Sequence, residues 1–398
     1  MEGFLLAVVV RPMRVLALAA ALWPIASVAS KAATFEELAA QAASARRGNS
    51  IPEAIQLYRQ AVELRSNWEE GWWFIGTLSY STYHFSDCEA AFDQFVKLDD
   101  KRALAWSLLG LCEFETGNYT PALDHLRQGL AGKNLAPEVD AGVRFHYGLL
   151  LSKQGLFDQG MHALSRYARG GAHESMLIEG LGLNALHQPL LPKEIPADRL
   201  DAVERAGEAS RSLILGKIAD AQAGFQELIE RYPAVPGVHY LYGTFLSYSR
   251  PEEAIAEFHR ELDLDPGNVS ATAMLALMLL NTDKLADAIP YAKKAAAEKP
   301  SDAKAEYVYG EALLKMGDLQ SAVAKLETAE RLDPAALEYH TALAGAYARL
   351  GRREDARRER QASLDMAGFT HSAVQNAESG TTVRATAKTS NASLPENR

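Results

Sequence analysis

The sequence predicts an all-α protein in which helical hairpins stack side by side as a solenoid. Alanine recurs every 34 residues, at Ala254, Ala288, Ala322 and Ala356. Two further series keep nearly the same period, namely Pro233, Pro266, Pro300 and Pro334, and Gly243, Ala276, Gly310 and Ala344. A fixed period of this length is typical of a solenoid, in which each unit buries its apolar face only against its neighbours.

Residues 303–334 illustrate the content of one unit. Two runs of apolar residues with helical spacing are separated at Gly317. Pro334 ends the second run, because proline disfavours helical backbone in the residue before it. Each unit is therefore predicted to be an αα-hairpin. We expect Gly310 and Ala322 to lie where the two helices cross, since larger side chains would force the helices apart.

A tryptophan and a glycine in the first helix, and small or aromatic residues in the second, recur in the first half of the chain: Trp72, Gly76, Phe92, Trp106, Gly110 and Ala122. Together with the turn glycines and closing prolines, this pattern resembles the tetratricopeptide repeat (TPR) family. More specifically, the chain resembles an exported TPR protein of bacterial type. The resemblance covers roughly residues 34–369 and implies a right-handed α-solenoid of about nine helix hairpins with an irregular mid-chain insertion. By register, the hairpins begin near Phe35, Glu69, Ala103, Ala141, Ala202, Val235, Val269, Ala303 and Leu337.

The N-terminus has the features of a secretory signal peptide over residues 1–30. Arg14 precedes an apolar run, and small residues follow before Ser30. Met13 is a possible true start of the protein. Cleavage is expected near Ala29, and the alternative is an uncleaved membrane anchor, although the apolar run is short for a span of about 20 residues.

The rest of the chain is predicted to divide into four segments. Residues 31–174 form an N-terminal TPR array, and residues 201–369 form a C-terminal one. Residues 175–200 are an irregular proline-rich connection, with a short helix over about Glu174–Ala185. The connection is either a tolerated insertion between hairpins, or a loop that folds over the groove or adjusts the relative pitch of the two halves. Residues 370–398 lack periodicity and are expected to be disordered.

No arrangement of residues in the sequence points to catalysis, and we expect no cofactor, no metal and no enzymatic activity. His146 and His162 are interpreted as ordinary surface or hydrogen-bonded histidines. The net charge of −10 argues against nucleic acid as a partner, because phosphate binding needs a basic face. Cys88 and Cys112 are either buried small residues or a disulfide that joins neighbouring hairpins.

The TPR resemblance implies that the first helices of successive hairpins line a concave face. The side chains expected there are Trp73, Thr77, Tyr80, Leu111, Phe114, Phe145, Leu149, Tyr240, Thr244, Tyr248, Tyr307 and Glu311. Aromatic side chains of this kind dominate interface energetics. Glu257 and Lys325 are expected on the outer surface of second helices.

The function predicted from these features is a non-enzymatic protein–protein interaction scaffold of the cell envelope or secreted space. It would bind a peptide segment of a protein partner in the concave groove. The alternative is an accessory or regulatory subunit of an envelope enzyme or export machine, which an uncleaved N-terminal helix would anchor to the membrane.

Overall fold

The computed structural model describes residues 33–132, 135–171 and 174–378 of the chain. Over these residues the protein is all-α and solenoid-like, with 19 α-helices, one 3-10 turn and no strand. None of the helices in this described part is both long and apolar enough to cross a bilayer. The predicted signal peptide, residues 1–30, lies outside the described residues.

The chain divides into two compact units between Ile75 and Gly76. The N-terminal unit contains α1 (Phe35–Arg47), α2 (Ile51–Leu64) and the first part of α3 (Glu69–Ser81). Thr34 caps α1 with a capping box, in which Glu37 bonds back to the Thr34 backbone. The core of this unit centres on Tyr58, whose ring lies 5.8 Å from Trp68 and 5.3 Å from Phe74.

The C-terminal unit contains the rest of the described chain. Its helices after α3 are α4 (Phe85–Leu98), α5 (Ala103–Thr116), α6 (Tyr119–Ala131), α7 (Pro137–Lys153), α8 (Phe157–Arg169), α9 (Ser175–Ala185), α10 (Leu200–Ile214), α11 (Ile218–Arg231), α12 (Val238–Leu246), α13 (Pro251–Leu264), α14 (Val269–Asn281), α15 (Leu285–Glu298), α16 (Ala303–Met316), α17 (Leu319–Leu332), α18 (Leu337–Arg349) and α19 (Arg353–Glu378). Apart from α9, the helices pair in chain order as nine hairpins, with the fifth formed by α10 and α11. Six hairpins begin at the residue that the sequence register predicts, and the other three begin within four residues of it.

The helices of a hairpin cross at small residues, as the sequence predicts. A methyl group added at Gly310 would lie 2.7 Å from Cγ of Leu326, the residue 16 positions later on α17. The same spacing relates Gly110 on α5 to Leu126 on α6. Contacts this close leave no room for a side chain, so glycine sets the distance between the two helices.

Apolar clusters join each hairpin to the next, and so the core runs along the unit. One cluster connects α12 through Phe258 and Leu275 to Val308 on α16, and another continues from Leu313 to Leu343. Each hairpin therefore buries its apolar face only together with its neighbours, which is the packing expected of a repeat array.

Cys88 and Cys112 form a disulfide between α4 and α5, with their Cα atoms 6.0 Å apart. The bond joins the second hairpin to the third. Of the two interpretations that the sequence leaves open, the structure has the disulfide.

The proline-rich connection contains the predicted short helix, which is α9. This helix packs closely on α10, because Gly182 lies against the Val203 carbonyl and Gly207 against the Ile178 carbonyl. The remainder has one 3-10 turn, Pro192–Glu194, and an ion pair of 2.7 Å holds its Glu194 to Lys153 on α7. Helices on both sides of residues 175–200 belong to the same compact unit.

Helical structure extends further along the chain than the sequence predicts. Helix α19 continues to Glu378, so residues 370–378 are helical rather than disordered. Within this stretch Ala373, Gln375, Ala377 and Glu378 are good helix formers. Residues 379–398 lie outside the described part of the chain.

Candidate partner-binding surface

The positions predicted to line a concave face differ in burial. Five of them are buried: Leu111, Phe114, Phe145, Leu149 and Tyr240. The first four share one apolar cluster between the third and fourth hairpins. Within it Phe114 lies 4.7 Å from the His146 ring, and Phe145 stacks on Tyr167 at 4.9 Å. These side chains stabilise the packing between hairpins, and Leu111 also contributes to the wall of a surface pocket.

The other predicted positions are at least partly exposed: Trp73, Thr77, Tyr80, Thr244, Tyr248, Tyr307 and Glu311. Trp73 lies in the N-terminal unit, and the others lie in the C-terminal unit. Tyr307 contacts Tyr339 on α18, with ring centroids 4.9 Å apart. Burial raises the pKa of the Glu311 carboxyl, although Lys315 opposes this shift. Within the C-terminal unit, Tyr80 lines one depression, and Thr244 and Tyr248 line another.

Tyr80 and Leu111 line a pocket that we call the aromatic pocket. Its residues are Tyr80, Ser81, Tyr83, Phe85, Leu111, Glu115 and His146, and its volume is about 320 Å³. The Phe85 ring lies 6.0 Å from the Tyr80 ring and 6.0 Å from the Tyr83 ring, both edge-on. Tyr83 is 81% exposed at the rim, in the turn between α3 and α4.

Thr244 and Tyr248 line a second and larger depression, which we call the apolar groove. Its residues are Leu213, Ile218, Gln222, Phe225, Leu241, Thr244, Phe245, Tyr248, Ser249 and Arg250, and its volume is about 690 Å³. Tyr248 is 91% exposed, Ile218 53% and Leu213 38%. Thr244 donates its hydroxyl to the Tyr240 carbonyl at 2.9 Å, so it presents mainly its methyl group. The groove is an exposed apolar surface of the kind that marks interaction sites.

Two segments of the chain, residues 84–137 and 245–303, match the family model for the tetratricopeptide repeat. The chain contains tetratricopeptide repeats. A second model, described as anaphase-promoting complex, cyclosome, subunit 3, matches residues 281–359.

Solved structures of MamA are similar to part of the chain. The MamA RS-1 ArsTM double mutant is 23% identical with a TM-score of 0.35, and the match covers 43% of this chain and 97% of that one. MamA from Desulfovibrio magneticus RS-1 is 22% identical with a TM-score of 0.35, and the match covers 42% and 96%. Similarity at this level says nothing of what the chain binds. No curated protein matches the sequence.

Within the C-terminal unit, hydrogen bonds join the hairpin formed by α7 and α8 to the ends of α15 and α17. Gln159 Nε2 on α8 donates to the carbonyl of Leu332 at 3.3 Å, and Lys299 Nζ donates to the carbonyl of Gly155 at 3.3 Å. A cleft of about 650 Å³ lies beside these contacts, with Asp158 in its wall. Enclosure in the cleft raises the pKa of the Asp158 carboxyl despite the nearby Lys304 ammonium.

Glu257 and Lys325 are not the simple outer-surface residues that the sequence suggested. Glu257 is buried and accepts a hydrogen bond of 2.7 Å from Nδ1 of His239 on the first helix of the same repeat. Lys325 pairs at 3.0 Å with buried Glu306. The expectation was wrong because this position of the second helix faces the first helix, where it partners the residue 18 or 19 positions earlier.

Several residues of these surfaces were missed in the sequence. Tyr83, Leu213 and Ile218 lie in or beside hairpin turns, where the repeat pattern carries little information on exposure. His146, interpreted as an ordinary histidine, donates from Nδ1 to the carbonyl of Gly142 at 2.8 Å, and burial lowers the pKa of its ring. Among the described residues, no group of three histidine, cysteine or acidic side chains is arranged to hold a metal.

Proposed function

We propose that this protein is a non-enzymatic scaffold that binds a segment of a partner protein in the apolar groove between α10, α11 and α12. The observation that carries the proposal is the exposure of Leu213, Ile218 and Tyr248 around one depression of about 690 Å³. A soluble fold gains nothing by leaving three large apolar side chains together in water. Tetratricopeptide repeats, which this chain contains, are generally protein-binding scaffolds.

The chemistry of the groove favours a partner segment with apolar anchor residues. Phe225, Leu241 and Phe245 form its floor and walls, and the Thr244 hydroxyl is already engaged. At the rim, Arg250 pairs with Glu253 at 3.3 Å, which leaves little free charge to attract an ion. Tyr248 combines a large apolar ring with a polar tip, a property of residues that dominate binding energy.

The proposal includes export of the protein to the cell envelope or the secreted space. Two observations support it. Residues 13–30 have the sequence of a secretory signal. The Cys88–Cys112 disulfide would persist in an oxidising compartment and would be rare in a reducing one.

Site-specific photo-crosslinking in the native host tests the proposed surface. A photoreactive phenylalanine analogue replaces Tyr248, and the control carries it at Glu354, whose side chain is 84% exposed on α19. We expect covalent adducts from position 248 that map to an apolar segment of one partner, and we expect Ile218→Glu to reduce their yield. Adducts of equal yield from position 354, with none from position 248, would contradict the proposed site.

A further inference from the structure

The aromatic pocket has the features of a site for a cationic group. Tyr80, Tyr83 and Phe85 provide three aromatic rings around one cavity, with both centroid distances to Phe85 at 6.0 Å. The faces of aromatic rings carry partial negative charge and attract a cation that lies within about 6 Å. Tyr83 is largely exposed at the rim, so a ligand has access from solvent.

Two polar groups of the pocket can accept a hydrogen bond from a cation. Glu115 contributes an exposed carboxylate. His146 donates from Nδ1 to the Gly142 carbonyl, so in the neutral ring Nε2 is left as an acceptor. Burial lowers the pKa of His146, which keeps the ring neutral near pH 7. The described residues that line this pocket include no lysine or arginine.

Lys193 interacts electrostatically with Glu115 of the pocket, but its ammonium group is held on another ring. Lys193 Nζ lies 5.5 Å from the centroid of the Tyr119 ring, and Lys153 Nζ lies 5.4 Å from the same ring. Neither ammonium group lines the aromatic pocket. Two ammonium groups therefore pack on the nearby Tyr119 ring. The residues that line the aromatic pocket supply no ammonium group to its three rings.

Comparison between repeats shows that the combination of an acid with three aromatic rings distinguishes this pocket from the apolar groove. The apolar groove lies at equivalent repeat positions. Tyr80 and Leu213 each follow a helix-crossing residue by four positions, and Glu115 and Tyr248 each follow a crossing glycine by five. Phe85 and Ile218 are likewise equivalent. The two depressions therefore share their backbone construction, and only the aromatic pocket combines an acid with three aromatic rings.

We propose that the aromatic pocket binds the ammonium group of a lysine side chain in a partner segment. The proposal rests on the proposed scaffold function for the origin of the lysine, while the pocket itself can be tested without a partner. The Glu115 carboxylate complements the charge, the rings contact the ammonium and its methylene stem, and a volume of about 320 Å³ suits a single side chain.

The test is an NMR titration of the full-length mature protein with small probes. The first probe is Nα-acetyl-lysine N-methylamide, and the second is the norleucine analogue, which has the same stem without the charge. We expect the lysine probe to bind about tenfold more tightly than the norleucine probe, and we expect Glu115→Gln to weaken it about fivefold. Tyr83→Asn removes one ring and should weaken binding of the lysine probe by a similar factor. Asparagine is chosen because it tolerates the positive φ of 60° at this position. Tyr248→Asn, in the apolar groove, should leave the affinity for the lysine probe unchanged.

The outcomes separate the proposal from its rivals and from the scaffold proposal. Equal binding of the lysine and norleucine probes, no binding of either, or no effect of Glu115→Gln would overturn the cation site. Tighter binding of tetramethylammonium than of the lysine probe would replace the lysine by a free quaternary ammonium compound. Loss of crosslinks at position 248 would instead contradict the scaffold site and leave the probe titration unaffected.

Discussion

The imidazole ring of His187 lies 4.2 Å from the ring of Tyr240, in a contact between the α9–α10 connection and α12. The same imidazole stacks on Phe157 of α8 at 4.2 Å. Tyr240 also packs against Phe258 in the apolar cluster of α12 to α16, and it is only 8% exposed. A tyrosine that the repeat register assigns to a binding face is thus used to hold the connection in place.

The His187 contact predicts a specific dependence of stability on pH. Burial, with Lys299 nearby, lowers the pKa of His187 to about 3 in the folded protein, whereas an unfolded histidine titrates near 6.5. Between these values the unfolded state binds the extra proton, so the stability present at neutral pH is lost as pH falls below about 6.5. One such group lowers the free energy of unfolding by about 2 kcal/mol between pH 7 and pH 5.

Chemical denaturation of wild type and His187→Asn at pH 7 and pH 5 measures this contribution. Asparagine suits the positive φ of 53° at this position. The variant should lose less stability between the two pH values than wild type does, by about 2 kcal/mol. Identical pH dependence in the two proteins would show that His187 titrates normally in the folded state.

Much of the fold follows from the sequence, because the 34-residue period reports the positions where helices must touch. Gly310 was assigned to a helix crossing from its spacing alone, and the structure places it against Leu326. Exposure at the binding surface was harder to predict. The repeat register gives the face of a helix, whereas the burial of Tyr240 depends on His187, which belongs to the aperiodic connection.

Glu257 shows the same limit on a second helix. A charged side chain on a second helix is ordinarily expected to be exposed to solvent, but His239 on the facing helix offers Glu257 a hydrogen-bond partner at 2.7 Å. The pairing needs two residues 18 positions apart, and only the angle between the two helices decides whether they meet. The exposed residues of the apolar groove and of the aromatic pocket depend on turn conformation in the same way.

A buried crossing glycine and an exposed glycine predict opposite effects of the same substitution. Gly310→Leu should lower the free energy of unfolding by about 1–3 kcal/mol, because Leu326 is buried and cannot move away from the new side chain. Gly345 on α18 is exposed with open space around it. Gly345→Leu should raise stability by about 0.5 kcal/mol through helix propensity. Urea denaturation of both variants measures these free energies of unfolding. Equal stability of Gly310→Leu and wild type would mean that Gly310 does not lie at the helix crossing.

The Cys88–Cys112 disulfide predicts sensitivity of the array to reductant. The bond closes a loop with a sequence separation of 24 residues. Its loss should lower the free energy of unfolding by about 3 kcal/mol, since the reduced unfolded chain gains conformational freedom. The Cys88→Ala/Cys112→Ala variant should show the lower stability with or without dithiothreitol, whereas wild type should reach it only when reduced. A wild-type protein that is indifferent to reductant would contradict a stabilising role.

The proposed export predicts a processed N-terminus. The mature chain should begin between Ala29 and Ala32, because small residues there suit a signal peptidase after the apolar run. N-terminal sequencing of the protein from fractionated native cells measures this directly. Recovery of an intact residue 13–30 segment in the membrane fraction would favour the anchored accessory subunit instead.

Two tyrosines eight residues apart predict opposite consequences for the same change. Tyr240 is buried against His187, so Tyr240→Ala should lower the free energy of unfolding by about 3–5 kcal/mol through the cavity that it leaves. Tyr248 is 91% exposed at the apolar groove, so Tyr248→Ala should change stability by no more than about 0.5 kcal/mol.

Partner binding should depend on the exposed Tyr248, whose replacement leaves stability unchanged. Truncation of an aromatic anchor at an interface typically costs about 2 kcal/mol or more, which is roughly 30-fold in affinity. Tyr248→Ala should therefore lower the affinity for the partner that crosslinks at the groove by at least about tenfold. The unfolding curve of this variant should overlay that of wild type. Unchanged affinity for that partner would remove Tyr248 from the interface. A large loss of stability would instead mean that Tyr248 packs on the array, as Tyr240 does, and that the groove is narrower than its exposed residues indicate.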